Sequence, residues 1–247
     1  MNEKQIVKPL LKYIDTRHLD HIETWNDWLR WLCSNLDWSV ICRSNGYVER
    51  FEEMKKDNPE YFEAMIGWFE YATEQLKLTN GAFDAFGTIY ESTFQSQYKA
   101  SKSGQFFTPM SLCIATAEIT SARLKEATEE VLLCYDPAVG SGRMPLASWG
   151  MADKCNRILF VAGDIDTSSV NMCALNFMIA GMVGCVEKKD ALTKKWYGAY
   201  IVNAGKVPFW NESATLQWFD DQEEFAAAWS RLEELAKSWD CVNYRKK

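Results

Sequence analysis

Hydrophobic positions recur at helical spacing through the first part of the chain. Trp25, Trp28, Leu29 and Leu32 form one stripe. Tyr61, Met65, Trp68, Phe69, Ala72 and Leu76 form a second, and Phe83, Phe86, Tyr90, Thr93 and Phe94 a third, with charged residues on the opposite faces. Asn58-Pro59 and Asn80-Gly81 interrupt the pattern as helix boundaries. No strand alternation occurs here, and residues 1–98 are predicted to form a helical N-terminal domain. Near Ser101 the pattern changes. A loop, SKSGQFFTP, leads into a helix with Leu112, Ala115, Ile119 and Ala122 on one face. Two short apolar runs, VLLCYD (131–136) and RILFVAGD (157–164), each end in an acid, and a glycine turn opening into a helix separates them. Residues 167–181 read as a second helix, with Thr167 or Ser168 as N-cap and Val170, Cys173, Ala174, Phe177 and Met178 on its apolar face. GCVEKKD (184–190) and YGAYIVN (197–203) are the next strand candidates. The tail from about 211 to 240 reads as helix, with Phe225, Trp229, Leu232, Ala236 and Trp239 on one stripe, and a fifth strand exists if residues 215–219 are extended. Alternating strand and helix predicts an α/β domain over residues 99–247, built on a parallel sheet with right-handed crossovers.

Composition narrows the class. The 247 residues suffice for one α/β domain and a smaller helical one. No apolar run approaches the roughly 20 residues that span a bilayer, and the N-terminus lacks an apolar signal core with a cleavage site. The expected location is the cytoplasm. Eight cysteines are scattered without a CxxC pair, which predicts reduced thiols and no metal site. The two histidines, His18 and His21, read as helix surface. A net charge of −7 argues against strong autonomous DNA binding, because Lys and Arg contacts to phosphate supply most non-specific affinity. A local basic patch or a partner subunit would have to supply the positive field.

The most informative segment is Asp136-Pro137-Ala138-Val139-Gly140-Ser141-Gly142. A strand delivers it and a helix leaves it, so glycines permit a sharp turn and close approach to a ligand, with helix N–H groups facing an acceptor. The next strand ends in Gly163-Asp164-Ile165-Asp166, and an acid there suits ribose hydroxyls. The pattern points to a nucleoside-bearing ligand across the ends of two strands. It does not separate S-adenosylmethionine (AdoMet) from a dinucleotide, although G-x-G-x-x-G is not met.

Gly104-Gln105-Phe106-Phe107-Thr108-Pro109, then DPAVGSGR, then GDIDTSSVNMCALNFMIAG, then Asp190-Ala191-Leu192, resemble the ordered motifs of N6-adenine DNA methyltransferases, and most closely the modification subunits of type I restriction-modification systems. The resemblance covers roughly residues 100–195. It implies a Rossmann-like AdoMet-dependent methyltransferase fold, with an abbreviated sheet, preceded by the helical domain. It also implies AdoMet as cofactor, DNA as substrate, and a specificity or other protein subunit as partner. Carried over by position, Gln105, Phe107 and Thr108 would hold the methionine end. Asp136, Ala138, Gly140 and Gly142 would form the turn beneath it. Asp164 would hold the ribose and Ile165 would touch the adenine face, with Asp190 accepting from the adenine amino group and Leu192 packing nearby.

Active members of that family carry Asn or Asp-Pro-Pro-Tyr or Phe after the fourth strand, where it stacks on the flipped base and polarises N6. Here the place reads Ile201-Val202-Asn203-Ala204-Gly205-Lys206-Val207-Pro208-Phe209. Asn203, Pro208 and Phe209 are the candidate catalytic residues, but no Pro-Pro follows the Asn. Two functions therefore stand side by side: an adenine-N6 methyltransferase or a subunit of one, and a catalytically inactive AdoMet-binding or regulatory relative. Methyl transfer to RNA, protein or a small molecule is a third.

Overall fold

The structure is a computed structural model describing residues 3–37, 47–95, 107–121, 131–152, 158–204 and 215–238. Helices fill the first part, as the periodicity predicts. They are α1 (Glu3–Ile6), α2 (Lys8–Arg17), α3 (His21–Asn35), α4 (Tyr47–Asp57), α5 (Pro59–Leu78) and α6 (Ala85–Ile89). A π-helical stretch, Tyr90–Gln95, continues α6. Asp20 caps α3 by accepting from the Ile22 and Glu23 N–H groups, and Pro59 occupies the first turn of α5, where its missing N–H costs nothing. Trp25, Trp28, Trp68, Phe86 and Phe94 are fully buried, with ring centroids 4.7 Å apart for Trp25–Phe94 and 4.5 Å for Trp68–Phe86. Phe69 departs from its predicted stripe and is exposed.

The second part contains α7 (Met110–Thr120), β1 (Leu132–Asp136), α8 (Arg143–Met151), β2 (Ile158–Asp164), α9 (Thr167–Ala180), β3 (Gly184–Lys189), β4 (Trp196–Val202), β5 (Leu216–Phe219) and α10 (Gln222–Lys237). Four strands fall where the sequence predicts extended chain, and β5 realises the conditional fifth strand within a tail otherwise read as helix. They form one sheet in the order β1-β2-β3-β4-β5. The expectation of a parallel sheet holds only for β1, β2 and β3; β4 runs antiparallel to β3, and β5 antiparallel to β4. Chain length explains the correction. A parallel crossover needs about a dozen residues or more, and only residues 190–195 join β3 to β4.

Two helices also correct the sequence reading. In α7 the buried side chains are Cys113 and Ala117, packed with Ala147 of α8, while Leu112 and Ile119 are exposed. Small side chains let the helices approach closely, and the larger apolar ones face out. The N-cap of α9 is Asp166, whose carboxylate accepts from the Ser169 N–H, one place before the expected Thr167 or Ser168. α9 is buried on most sides between the sheet and the N-terminal helices, and Ser168 donates to Asn26 of α3 at 2.6 Å. One continuous apolar core runs from Ile6 and Trp25 through Phe160 and Phe177 to Leu216, across the boundary near residue 98. The five cysteines among the described residues are free thiols. No described helix is long and apolar enough to cross a membrane, and no metal-binding cluster of His, Cys, Asp or Glu occurs among the described residues.

Candidate functional site

Because β1, β2 and β3 are parallel, their C-terminal ends share one edge of the sheet, and Asp136, Asp164 and Asp190 lie at that edge. The chain leaves β1 through two glycines with positive φ, Gly140 at 56° and Gly142 at 99°. A Cβ at Gly142 would sit 3.1 Å from the Cys173 sulfur and 3.3 Å from the Phe177 ring, so the turn is pressed against α9. A Cβ at Gly140 would lie 3.1 Å from the Phe107 ring. Both positions require glycine, for conformation and for space.

Asp164 organises the turn. Its Oδ2 accepts from the Gly140 N–H at 2.9 Å and its Oδ1 from the Asp166 N–H at 2.9 Å. Each oxygen retains accepting capacity, since an ionised carboxylate offers about four lone-pair sites. Asp136 accepts from the Ala138 N–H at 3.1 Å. Burial pushes its carboxyl above the usual range, the Ala138 bond opposes this, and the charge of Asp164 adds to it. Asp190 stands in the turn between β3 and β4. Hydrogen bonds from Thr193 and from the Leu192 N–H hold its carboxyl below the usual range. Ile165 and Leu192 are 57% and 92% exposed, two large apolar side chains offered to solvent beside these acids.

A buried polar network lies under the turn. Asp84, the N-cap of α6, accepts from Ser141 Oγ at 2.6 Å, Arg143 Nε at 2.7 Å, the Gly87 N–H at 2.7 Å and Asn176 Nδ2 at 2.7 Å. Arg143 also reaches both carboxylate oxygens of Glu91 and donates to the Thr108 carbonyl at 3.2 Å. Its guanidinium carbon lies 5.3 Å from the centroid of the Phe107 ring. Burial lowers the Arg143 pKa, but the Asp84 and Glu91 carboxylates outweigh that and leave it raised. Sequence reading missed Asp84, Glu91 and Asn176, which are separated from the turn by tens of residues. The available signal was Asp84 three residues before Gly87, an N-cap spacing.

The predicted cofactor residues Phe107, Thr108, Asp136, Ala138, Gly140, Gly142, Asp164, Ile165, Asp190 and Leu192 all belong to this edge or to the segment packed on it. Gln105, Pro208 and Phe209 lie outside the described residues. Asn203 is not brought to the site. Val202 pairs with Gly184, the first residue of β3, so the antiparallel turn carries Asn203 to the opposite edge of the sheet. The six residues of β3 put roughly 20 Å between the two edges. The Asn203 side-chain NH2 donates to the carbonyls of Phe177, Met178 and Met182, and its oxygen accepts from the Thr215 N–H at 3.0 Å. The expectation that Asn203 polarises a base is corrected by this placement: the side chain closes the C-terminal end of α9.

A family model described as N-6 DNA Methylase matches residues 81–219, from α6 through β5. No curated protein and no solved structure matches the chain.

Proposed function

This chain belongs to the N-6 DNA methylase family, and from that premise we propose that the edge at the glycine turn binds S-adenosylmethionine, in a Rossmann-like domain, for methyl transfer to adenine N6 in DNA. The observation that carries the reading is the charge at the turn. Asp136 and Asp164 are close enough to repel, Asp166 follows directly, and Arg143 is drawn into the network of Asp84 and Glu91. Lys188, beside Asp164 in the sheet, extends its ammonium over the Tyr197 ring. A dinucleotide brings a pyrophosphate to such a turn, and two carboxylates disfavour it. AdoMet brings a sulfonium and an ammonium, which the same carboxylates favour.

The residues fit that ligand. Asp164 keeps lone pairs for ribose hydroxyls. Ile165 and Leu192 offer apolar faces for the adenine, and Asp190 an acceptor for its amino group. Ala138 is exposed at the mouth of the turn, Gly140 and Gly142 shape the turn beneath it, and Phe107 with Thr108 would close the methionine end. The cofactor would supply an electrophilic methyl group, and these residues would orient it. A second reading, a cofactor-binding relative without its own transfer step, is favoured by the commitment of Asn203 to α9. Incubating the purified chain with tritium-methyl AdoMet and adenine-containing duplex DNA separates them. Label recovered as N6-methyladenine supports transfer by this chain. Bound cofactor without incorporation supports the second reading, and label in RNA or protein acceptors instead of DNA would replace the substrate assignment.

A further inference from the structure

Among the described residues, the network beneath Phe107 holds one more acid than its cation neutralises. Asp84 and Glu91 share Arg143, and the two acids are not equivalent. The Asp84 side chain is 2% exposed and is matched by four donors within the protein. Glu91 is 35% exposed, and Arg143 is the partner on both of its oxygens. The surplus negative charge therefore resides at the open end of the cluster, on Glu91, and each of its oxygens can accept a further hydrogen bond.

The position of that charge is specific. Glu91 meets at one guanidinium with the Thr108 carbonyl and the face of Phe107, and Phe107 lies directly on Gly140. Tyr90, the neighbour of Glu91, stands 6.1 Å from the Phe107 ring and close enough to Asp166 to feel its charge. The line Asp164, Gly140, Phe107, Glu91 thus runs from the ribose acid across the turn to a half-open carboxylate. Glu91 also sits on the π-helical stretch that continues α6. A wide turn of this kind re-aims side chains and occurs frequently at functional sites.

We propose that Glu91 receives the α-ammonium group at the amino-acid end of the ligand whose nucleoside end rests on Asp164. Arg143 beside it holds the Glu91 carboxylate in place, its own charge being taken up by Asp84 and Glu91. The assignment rests on the AdoMet reading above and adds the group that selects for an intact amino-acid end.

The experiment is calorimetric titration with three probes: S-adenosylhomocysteine, its analogue lacking only the amino group, and 5′-methylthioadenosine, which lacks the whole amino-acid end. Wild-type protein is expected to prefer S-adenosylhomocysteine over the desamino analogue by about tenfold or more, the scale of one charge-assisted hydrogen bond. Glu91→Gln is expected to remove that preference and to leave 5′-methylthioadenosine binding within about twofold, since the nucleoside contacts are untouched. Glu91→Asp should restore part of it. Equal loss of all three probes in Glu91→Gln would mean a structural role, and no loss would mean that the ammonium lies elsewhere; either overturns the assignment. The wild-type comparison needs no variant, and absence of a preference there overturns it even if Glu91→Gln fails to fold. Wild-type protein that binds none of the probes refutes the AdoMet reading itself, a different outcome from binding without preference.

Discussion

Asn203 adopts a left-handed backbone, φ 55°, and uses its side-chain amide at both ends. Asn203→Ala removes donors from three carbonyls and strands the Thr215 N–H. We expect a loss on the order of 1–3 kcal/mol in urea denaturation, because buried polar groups are left unpaired, with AdoMet affinity unchanged. Asp164→Ala is expected to do the reverse in emphasis. It removes the proposed ribose acceptor and the support of the Gly140 N–H, and should weaken AdoMet binding by roughly 10- to 100-fold in calorimetry. Asp136 carries a pH signature. Its folded pKa is raised, by burial first and by Asp164 in addition, so the folded state holds the proton to higher pH than the unfolded chain. The stability linked to that proton is fully present below the ordinary carboxylate range and is lost as pH rises through the raised pKa. Asp136→Asn keeps an acceptor for Ala138 without the charge. Thermal melts should show a higher Tm than wild type at neutral pH, a difference that vanishes in acid, together with weaker AdoMet binding. Of these residues, Asp136 and Asp164 were legible because each ends an apolar strand beside a glycine turn. Asn203 was legible only as a position in a motif; its actual partners lie 12 to 26 residues away in sequence.

Elements were read more accurately than their directions. The runs ending at Asp136 and Asp164 and the stretch before Asn203 became strands of five to seven residues, a length that favours strand over helix when turn residues flank the run. Strand direction follows from connection length, and the short link between β3 and β4 contained that information. Reversal of β4 is what separates Asn203 from the edge that carries the glycine turn, so the error in strand direction also misplaced the candidate catalytic Asn. α7 misled for a different reason: its Leu112 and Ile119 suggest a buried stripe, whereas contact with α8 is made through Cys113 and Ala117. The two-glycine turn gives a test at this scale. Gly142→Ala sets a methyl group against Cys173 and Phe177 at a backbone angle that alanine rarely adopts. We expect destabilisation of about 1–3 kcal/mol, measured by denaturant unfolding.

At the scale of the whole molecule, the helical N-terminal part and the sheet share one core, and the Asp84–Arg143 pair fastens the first to the glycine turn of the second. That pair is buried, and breaking it by removing one partner costs about 3–5 kcal/mol in comparable cases. Asp84→Ala should therefore lower stability by that amount in chemical denaturation. Sequence patterns assigned these parts to two regions, and the polar contacts that join them come from residues 57 to 92 positions apart and leave no periodic trace.

The central claim is that a cluster of carboxylates around a glycine turn takes a cationic nucleoside. Titration of the purified protein with S-adenosylmethionine, beside NAD as the anionic dinucleotide, tests it most directly. The account predicts saturable one-to-one binding of S-adenosylmethionine that Asp164→Ala weakens and Asn203→Ala leaves intact, and no comparable binding of NAD. Absence of S-adenosylmethionine binding, or binding indifferent to Asp164, would contradict it.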